Sequence, residues 1–264
     1  MFMKTGMMPQ AMAAALLFAL TGCSGYVRGQ IYRPEPLANT PVTFADEAPQ
    51  EISVTTADGL VLDSLYWPPA PGNDTLIVYF HGNGGNKLTA AWAAQPLRTG
   101  GHGVLIASYR GYSGNPGKPT EDGLFTDGDA WMTKARELAP DVRLFVFGHS
   151  LGGAVAIEMA ARHEVDGVAT LGTFSKLADA APAYARSILP DRFDSLKAIA
   201  RVTAPVYLFH GTEDETVPFS SAAKLKAASV GGAAEVIPLE GGGHHVSMEG
   251  LAPYVWGRLL GVAE

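Results

Sequence analysis

Apolar residues fall along most of this chain in short unbroken runs: Thr75 to Phe80, Val104 to Ser108, Val142 to Phe147, Val168 to Leu171, Val206 to Phe209 and Glu235 to Leu239. Runs this short and this uniformly apolar predict strands covered on both faces, as in a parallel sheet sandwiched between helices. The intervening segments predict helices over about 86–98, 120–138, 152–163, 219–229 and 246–260. Upstream, Glu51 to Thr56 and Val61 to Trp67 alternate instead and are rich in β-branched residues. With Asp58-Gly59 between them, they predict an antiparallel hairpin. A hairpin followed by repeated strand and helix units predicts a doubly wound, mostly parallel α/β sheet over residues 51–264.

Two stretches break the pattern. Residues 173–203 are too long for a connection and too short for a domain; Phe174, Leu177, Ala180, Tyr184, Ile188, Leu189 and Phe193 give them an apolar character that predicts a short helical cap. The first 50 residues divide in two. Lys4 precedes a ten-residue apolar core from Ala11 to Leu20, half of what spans a bilayer, and small residues follow it up to Cys23. This predicts a signal peptide over 1–22. Leu20-Thr21-Gly22-Cys23 resembles the lipobox of bacterial lipoproteins, which implies a lipidated Cys23 as the mature N-terminus, an exported protein and a membrane anchor. From Ser24 to Gln50, Pro34, Pro36, Pro41 and Pro49 interrupt a polar stretch, predicting an extended tether over 23–50 that reaches up to ~80 Å.

Composition narrows the chemistry. A net charge of −7 without any run of Lys or Arg disfavours nucleic acid, whose phosphates demand clustered cations. The seven histidines and one cysteine show no HExxH or CxxC spacing, so no metal and no cofactor is expected. A small-molecule or lipid substrate fits better.

The segment "LFVFGHSLGGAVAIEMA" sends a strand through Gly148-His149-Ser150-Leu151-Gly152 into a helix. Glycines there permit strained backbone and close helix approach, the setting of a nucleophile elbow. A serine hydroxyl is a weak nucleophile unless a base takes its proton and a third group orients the base. Asp214, in "FHGTEDETVP", and His244, in "LEGGGHHV", each follow a predicted strand and so share the carboxyl edge of the sheet with Ser150. Glu213 and Glu215 are the alternatives to Asp214 and read as solvated loop charges; His245 is the alternative to His244. The glycine-rich "VYFHGNGGN" places the N–H groups of Asn83, together with Leu151, as candidate oxyanion donors. A phosphate-binding reading of that loop lacks the Walker lysine. His81 and His149 read as a brace and a wall.

From about residue 51 to 260 the chain resembles the α/β-hydrolase fold serine hydrolases. The carriers are "FHGNGGN", "YRGYSG", "GHSLGG", "HGTEDETVP" and "GGGHH", in that order, and they look like the subgroup of eukaryotic abhydrolase-type depalmitoylases and bacterial lysophospholipase-like esterases. The resemblance implies a Ser150, Asp214, His244 triad that cleaves carboxylic esters or thioesters through an acyl-enzyme without a cofactor. A peptidase or amidase on the same scaffold, or a binding lipoprotein without turnover, remains open. Many members carry Asp where this chain has Ser108, before a Tyr109, Arg110, Tyr112 loop read as scaffolding.

Overall fold

The computed structural model describes residues 25–262; the expected signal peptide and Cys23 lie outside them. Strands β1 (Gln50–Thr55) and β2 (Val61–Trp67) form the antiparallel hairpin. They are followed by β3 (Thr75–Phe80), β4 (Gly103–Ala107), β5 (Arg143–His149), β6 (Gly167–Leu171), β7 (Val206–Gly211) and β8 (Glu235–Leu239). The sheet order is β8-β7-β6-β5-β3-β4-β2-β1, with parallel pairing from β8 through β4 and antiparallel pairing at β4/β2 and β2/β1. This is the α/β-hydrolase fold.

The unbroken apolar runs have a direct cause in this arrangement. Along β3, Leu76, Val78 and Phe80 point into one core and Ile77 and Tyr79 into the other, so neither face of the strand meets water. The first core is closed by α3 (Glu121–Leu138), α4 (Leu151–Arg162) and α7 (Ser220–Ala228), the second by α2 (Lys87–Ala94) and α8 (Met248–Leu260). Helix ends follow local chemistry. Asn86 and Thr89 form a capping box on α2, Thr120 caps α3 and Ser247 caps α8. Helix α2 stops short of the expected residue 98, because Pro96 has no N–H to give and the chain tightens into a 3-10 turn over Gln95–Arg98.

The stretch read as an extended tether is packed against the domain. Residues 25–31 form helix α1, and Ile31 and Tyr32 are buried in the first core. Arg28 makes a bidentate ion pair with Asp191 at 2.9 and 3.1 Å. Beyond α1, Arg33–Pro34 pairs in parallel with Gly84–Gly85: Arg33 N–H bonds Asn83 O and Glu35 N–H bonds Gly85 O. Only alternate residues of a strand donate to one neighbour, so Pro34, which has no N–H, fits between the two donors without loss. Proline content therefore did not signal an unpacked chain here. The insertion at 173–203 holds α5 (Leu177–Ala180), a 3-10 turn (Arg186–Ile188) and α6 (Ser195–Ile199), joined by irregular backbone.

Candidate active site

Ser150 is the single residue between β5 and α4, with φ 54° and ψ −117°. A non-glycine residue in that region carries of order 1–3 kcal/mol of strain, which surrounding contacts must hold in place. They do so at three glycines. A Cβ on Gly148 would run into the backbone of Gly152, one on Gly152 into the carbonyl oxygens of Phe80 and His81, and one on Gly153 into the Thr173 side chain. Ser150 N–H bonds Leu171 O at 2.9 Å, tying the turn to β6. The turn thus projects the hydroxyl beyond the carboxyl edge of the sheet.

Asp214 stands just past β7. Its Oδ1 accepts from the N–H groups of Thr216 at 2.9 Å and Val217 at 2.8 Å, which fixes the plane of the carboxylate. Oδ2 is left facing His244 Nδ1 at 2.8 Å, and His244 Nε2 lies 3.0 Å from Ser150 Oγ. With a carboxylate on one side, Nδ1 carries the proton and donates, leaving Nε2 to accept from the hydroxyl. The loop bearing His244 is drawn in by Glu213 N–H on Gly242 O, and a Cβ on Gly211 would overlap the carbonyls of Gly242 and Gly243. The alternatives fall away from this chain of contacts: Glu213, Glu215 and His245 are exposed.

Three further histidines surround it. His149 Nε2 donates to the His244 carbonyl at 3.1 Å, and burial pushes its pKa down to about 4, so it stays neutral beside the serine. His81 is also lowered to about 4 by burial; it packs against the rings of Tyr109 and Tyr112 and bonds Gly82 O at 2.9 Å. His210 was not singled out in the sequence. Its Nε2 bonds Val217 O at 3.0 Å and approaches Asp214 Oδ2 at 3.4 Å, so it braces the acid's loop. The signal was present in "FHGTEDETVP", where a Phe-His-Gly tripeptide stands at a strand end as it does in "VYFHGNGGN".

Gly82 lies directly over the serine: a Cβ there would sit 3.7 Å from Ser150 Cβ. The next residue, Asn83, is clamped on three sides. Its side-chain amide donates to Ile31 O at 3.1 Å, and its carbonyl accepts from Arg33 N–H and Tyr112 Oη, each at 2.8 Å. Leu151 opens α4, where the first backbone N–H groups have no partner within the helix. The Tyr109 to Tyr112 loop is buried scaffolding, as expected. Ser108 pairs with Ser113 at 2.8 Å, and the carboxylate that anchors the loop is Asp127, which accepts from both the N–H and the guanidinium of Arg110.

All of this opens into a cavity of about 1010 Å³. Ser150, His244, Asn83 and Leu151 line its floor; Phe174, Leu177, Ile188 and Leu189 from the insertion and Val27 and Ile31 from the N-terminal segment line its walls. Phe193, also in the insertion, does not line the cavity; it packs inward against Phe125 and Phe174. Among the described residues no group of three or more His, Cys, Asp or Glu is arranged to hold a metal ion.

Sheet order, strained serine turn and hydrogen-bonded Ser, His, Asp line define the class. Residues 75–198 match the family described as alpha/beta hydrolase fold. An uncharacterised protein of Mycobacterium tuberculosis is 34% identical over 191 residues, covering 69% of this chain and 68% of the relative. The chain belongs to the α/β-hydrolase fold family. Among solved structures, the Pyrococcus furiosus esterase is similar at a TM-score of 0.66 and 17% identity, covering 88% of this chain and 96% of that one. Est1E from Butyrivibrio proteoclasticus, solved with ferulic acid bound, is similar at a TM-score of 0.66 and 19% identity, covering 79% and 98%.

Proposed function

We propose that the protein is a serine hydrolase that cleaves carboxylic esters or thioesters through an acyl-enzyme. The observation that carries this reading is the continuous line from Asp214 through His244 to Ser150, at 2.8 and 3.0 Å, on the floor of a largely apolar cavity. Ser150 Oγ attacks the acyl carbonyl as His244 Nε2 takes its proton; Asp214 holds the imidazole and stabilises the imidazolium. The N–H groups of Asn83 and Leu151 receive the oxyanion. His244 then returns the proton to the departing alcohol or thiol, and water, deprotonated by the same nitrogen, releases the acid.

Esterases among the similar folds support ester chemistry, and the apolar walls support an acyl group of medium or long chain. The Cys23 motif supports export and lipid anchoring, and the motif set supports kinship with depalmitoylases and lysophospholipase-like esterases. No described helix is long and apolar enough to cross a membrane. A fluorophosphonate probe should label the wild type and not Ser150→Ala, which should lose about 10⁶ in turnover of nitrophenyl esters while keeping its fold. Equal labelling of both proteins would remove Ser150 from the mechanism. Nitrophenyl esters of graded length beside an aminoacyl anilide separate esterase from amidase.

A further inference from the structure

Around the mouth of the cavity the surface is unusually apolar. Tyr26 on α1 is 73% exposed; Tyr184 and Ile188, between α5 and α6, are 84% and 60% exposed, and all three line the same opening. Ala181, Pro182 and Ala185 fill the gaps between them. The other exposed large apolar residues among those described, such as Val61 or Val230, do not line this cavity; a cluster around a cavity mouth calls for an explanation. Two arginines flank it. Arg33 and Arg186 donate to the backbone carbonyls of Gln30 and Ala181, and neither is engaged in an ion pair among the described residues, although the chain as a whole is acidic.

Position along the chain identifies the occupant. Cys23 precedes Tyr26 by three residues, so a lipid on that cysteine lies no more than ~11 Å of backbone from the rim. Helix α1 cannot drift away, because the Arg28 ion pair to Asp191 and the Arg33 and Asn83 bonds fix it to the domain. An anchor on Cys23 therefore keeps Tyr26, and with it the cavity mouth, within ~11 Å of backbone of the lipid. Exposed aromatic and aliphatic side chains with interspersed arginines are the composition that beds into the headgroup and acyl boundary of a bilayer.

The geometry points to a membrane-docking surface: the rim of Tyr26, Tyr184 and Ile188 seats on the lipid bilayer that holds the anchor, and the acyl substrate enters from that bilayer rather than from water. This deepens the lipid-anchored hydrolase reading and rests on it. In the docked state, an acyl chain passes from the membrane between the rim residues to the apolar walls without crossing bulk water.

The test uses the full-length protein, matured in cells and reconstituted into phosphatidylcholine vesicles. Tyr184→Cys and Asp141→Cys are each labelled with an environment-sensitive maleimide dye; Asp141 is exposed in the loop entering β5, at the opposite edge of the sheet. Doxyl-labelled phosphatidylcholine should quench the dye at 184 at least threefold more than the dye at 141. Equal quenching overturns the proposal. So does a rim dye that ignores the doxyl lipid but responds to protein concentration, which would give the rim to a second copy of the chain. Two controls keep the supporting reading separate: absence of maleimide uptake by the wild type reports a blocked Cys23, and fluorophosphonate labelling reports Ser150, each independently of the quenching.

Discussion

Ser150, Asp214 and His244 hang from loops that leave β5, β7 and β8, and the backbones of these loops are wedged together so closely that Gly148, Gly152 and Gly211 have no room for a Cβ. Across the cavity, Phe174, Tyr184 and Ile188 belong to an insertion of short turns and irregular backbone, and Tyr26 to the short helix α1, which is tied to that insertion by the bond of Arg28 to Asp191. In the proposed reaction the first side holds the reacting atoms and the second sets what reaches them. The two meet at Asn83, which bonds Ile31 and Arg33; away from it the walls can change their preference while the line from Asp214 to Ser150 stays intact.

Substitution on the floor should give the largest effect. His244→Ala is expected to lower kcat of nitrophenyl ester hydrolysis by roughly 10⁴ or more, whereas His245→Ala, exposed and outside the line, should retain most activity. A reversed ranking in parallel assays would shift the base by one residue.

Acid sharpens the contrast from the stability side. His81 and His149 take a proton at about 4 in the folded protein, against an ordinary 6.5, because burial opposes the charge. The unfolded chain therefore binds more protons between those values, and stability, fully present above 6.5, falls as pH drops through the window. At pH 5 the loss should be roughly 2 kcal/mol per histidine, read as lower urea midpoints than at pH 7. His149→Gln, which keeps an N–H for the His244 carbonyl, should show a shallower fall. A midpoint independent of pH over this range would show that neither imidazole is held neutral by the site.

The wall should yield a smaller response. Arg28→Ala removes two charge-assisted bonds and should cost about 1–2 kcal/mol, with Arg28 partly solvated. Faster limited proteolysis within residues 25–36, and a KM that rises more than kcat falls, would mark α1 as cavity wall. Unchanged proteolysis would mean that the ion pair is dispensable for holding α1.

The sheet and the hydrogen-bonded line of Ser150, His244 and Asp214 were legible because each rests on a local rule. Apolar runs meant strands buried on both faces, except at the edge strand β8, which is only half-buried; glycines at fixed offsets from Ser150 meant a turn that only small residues permit. Strand ends moved by at most two residues; β5, for instance, runs 143–149 where 142–147 was expected. The N-terminal segment was misread because its docking depends on two adjacent apolar residues, Ile31 and Tyr32, and one distant partner for Arg28, none of which leaves a periodic trace. The same holds for Phe193, whose inward turn depends on Phe125 and Phe174. His210 was overlooked because its role is set by where the Asp214 loop folds back, at Val217.

The glycine wedge has an evolutionary corollary. Gly148, Gly152 and Gly211 are demanded by backbone crowding whether or not a reaction takes place, so selection for folding alone preserves them. A descendant that drifted into a carrier or receptor could discard the hydroxyl and the imidazole and still display the flanking glycines. Genome surveys that rely on the glycine frame would count such proteins as enzymes. The informative columns in the proposed reading are 150, 214 and 244, which carry the hydroxyl, the carboxylate and the imidazole rather than the glycine frame.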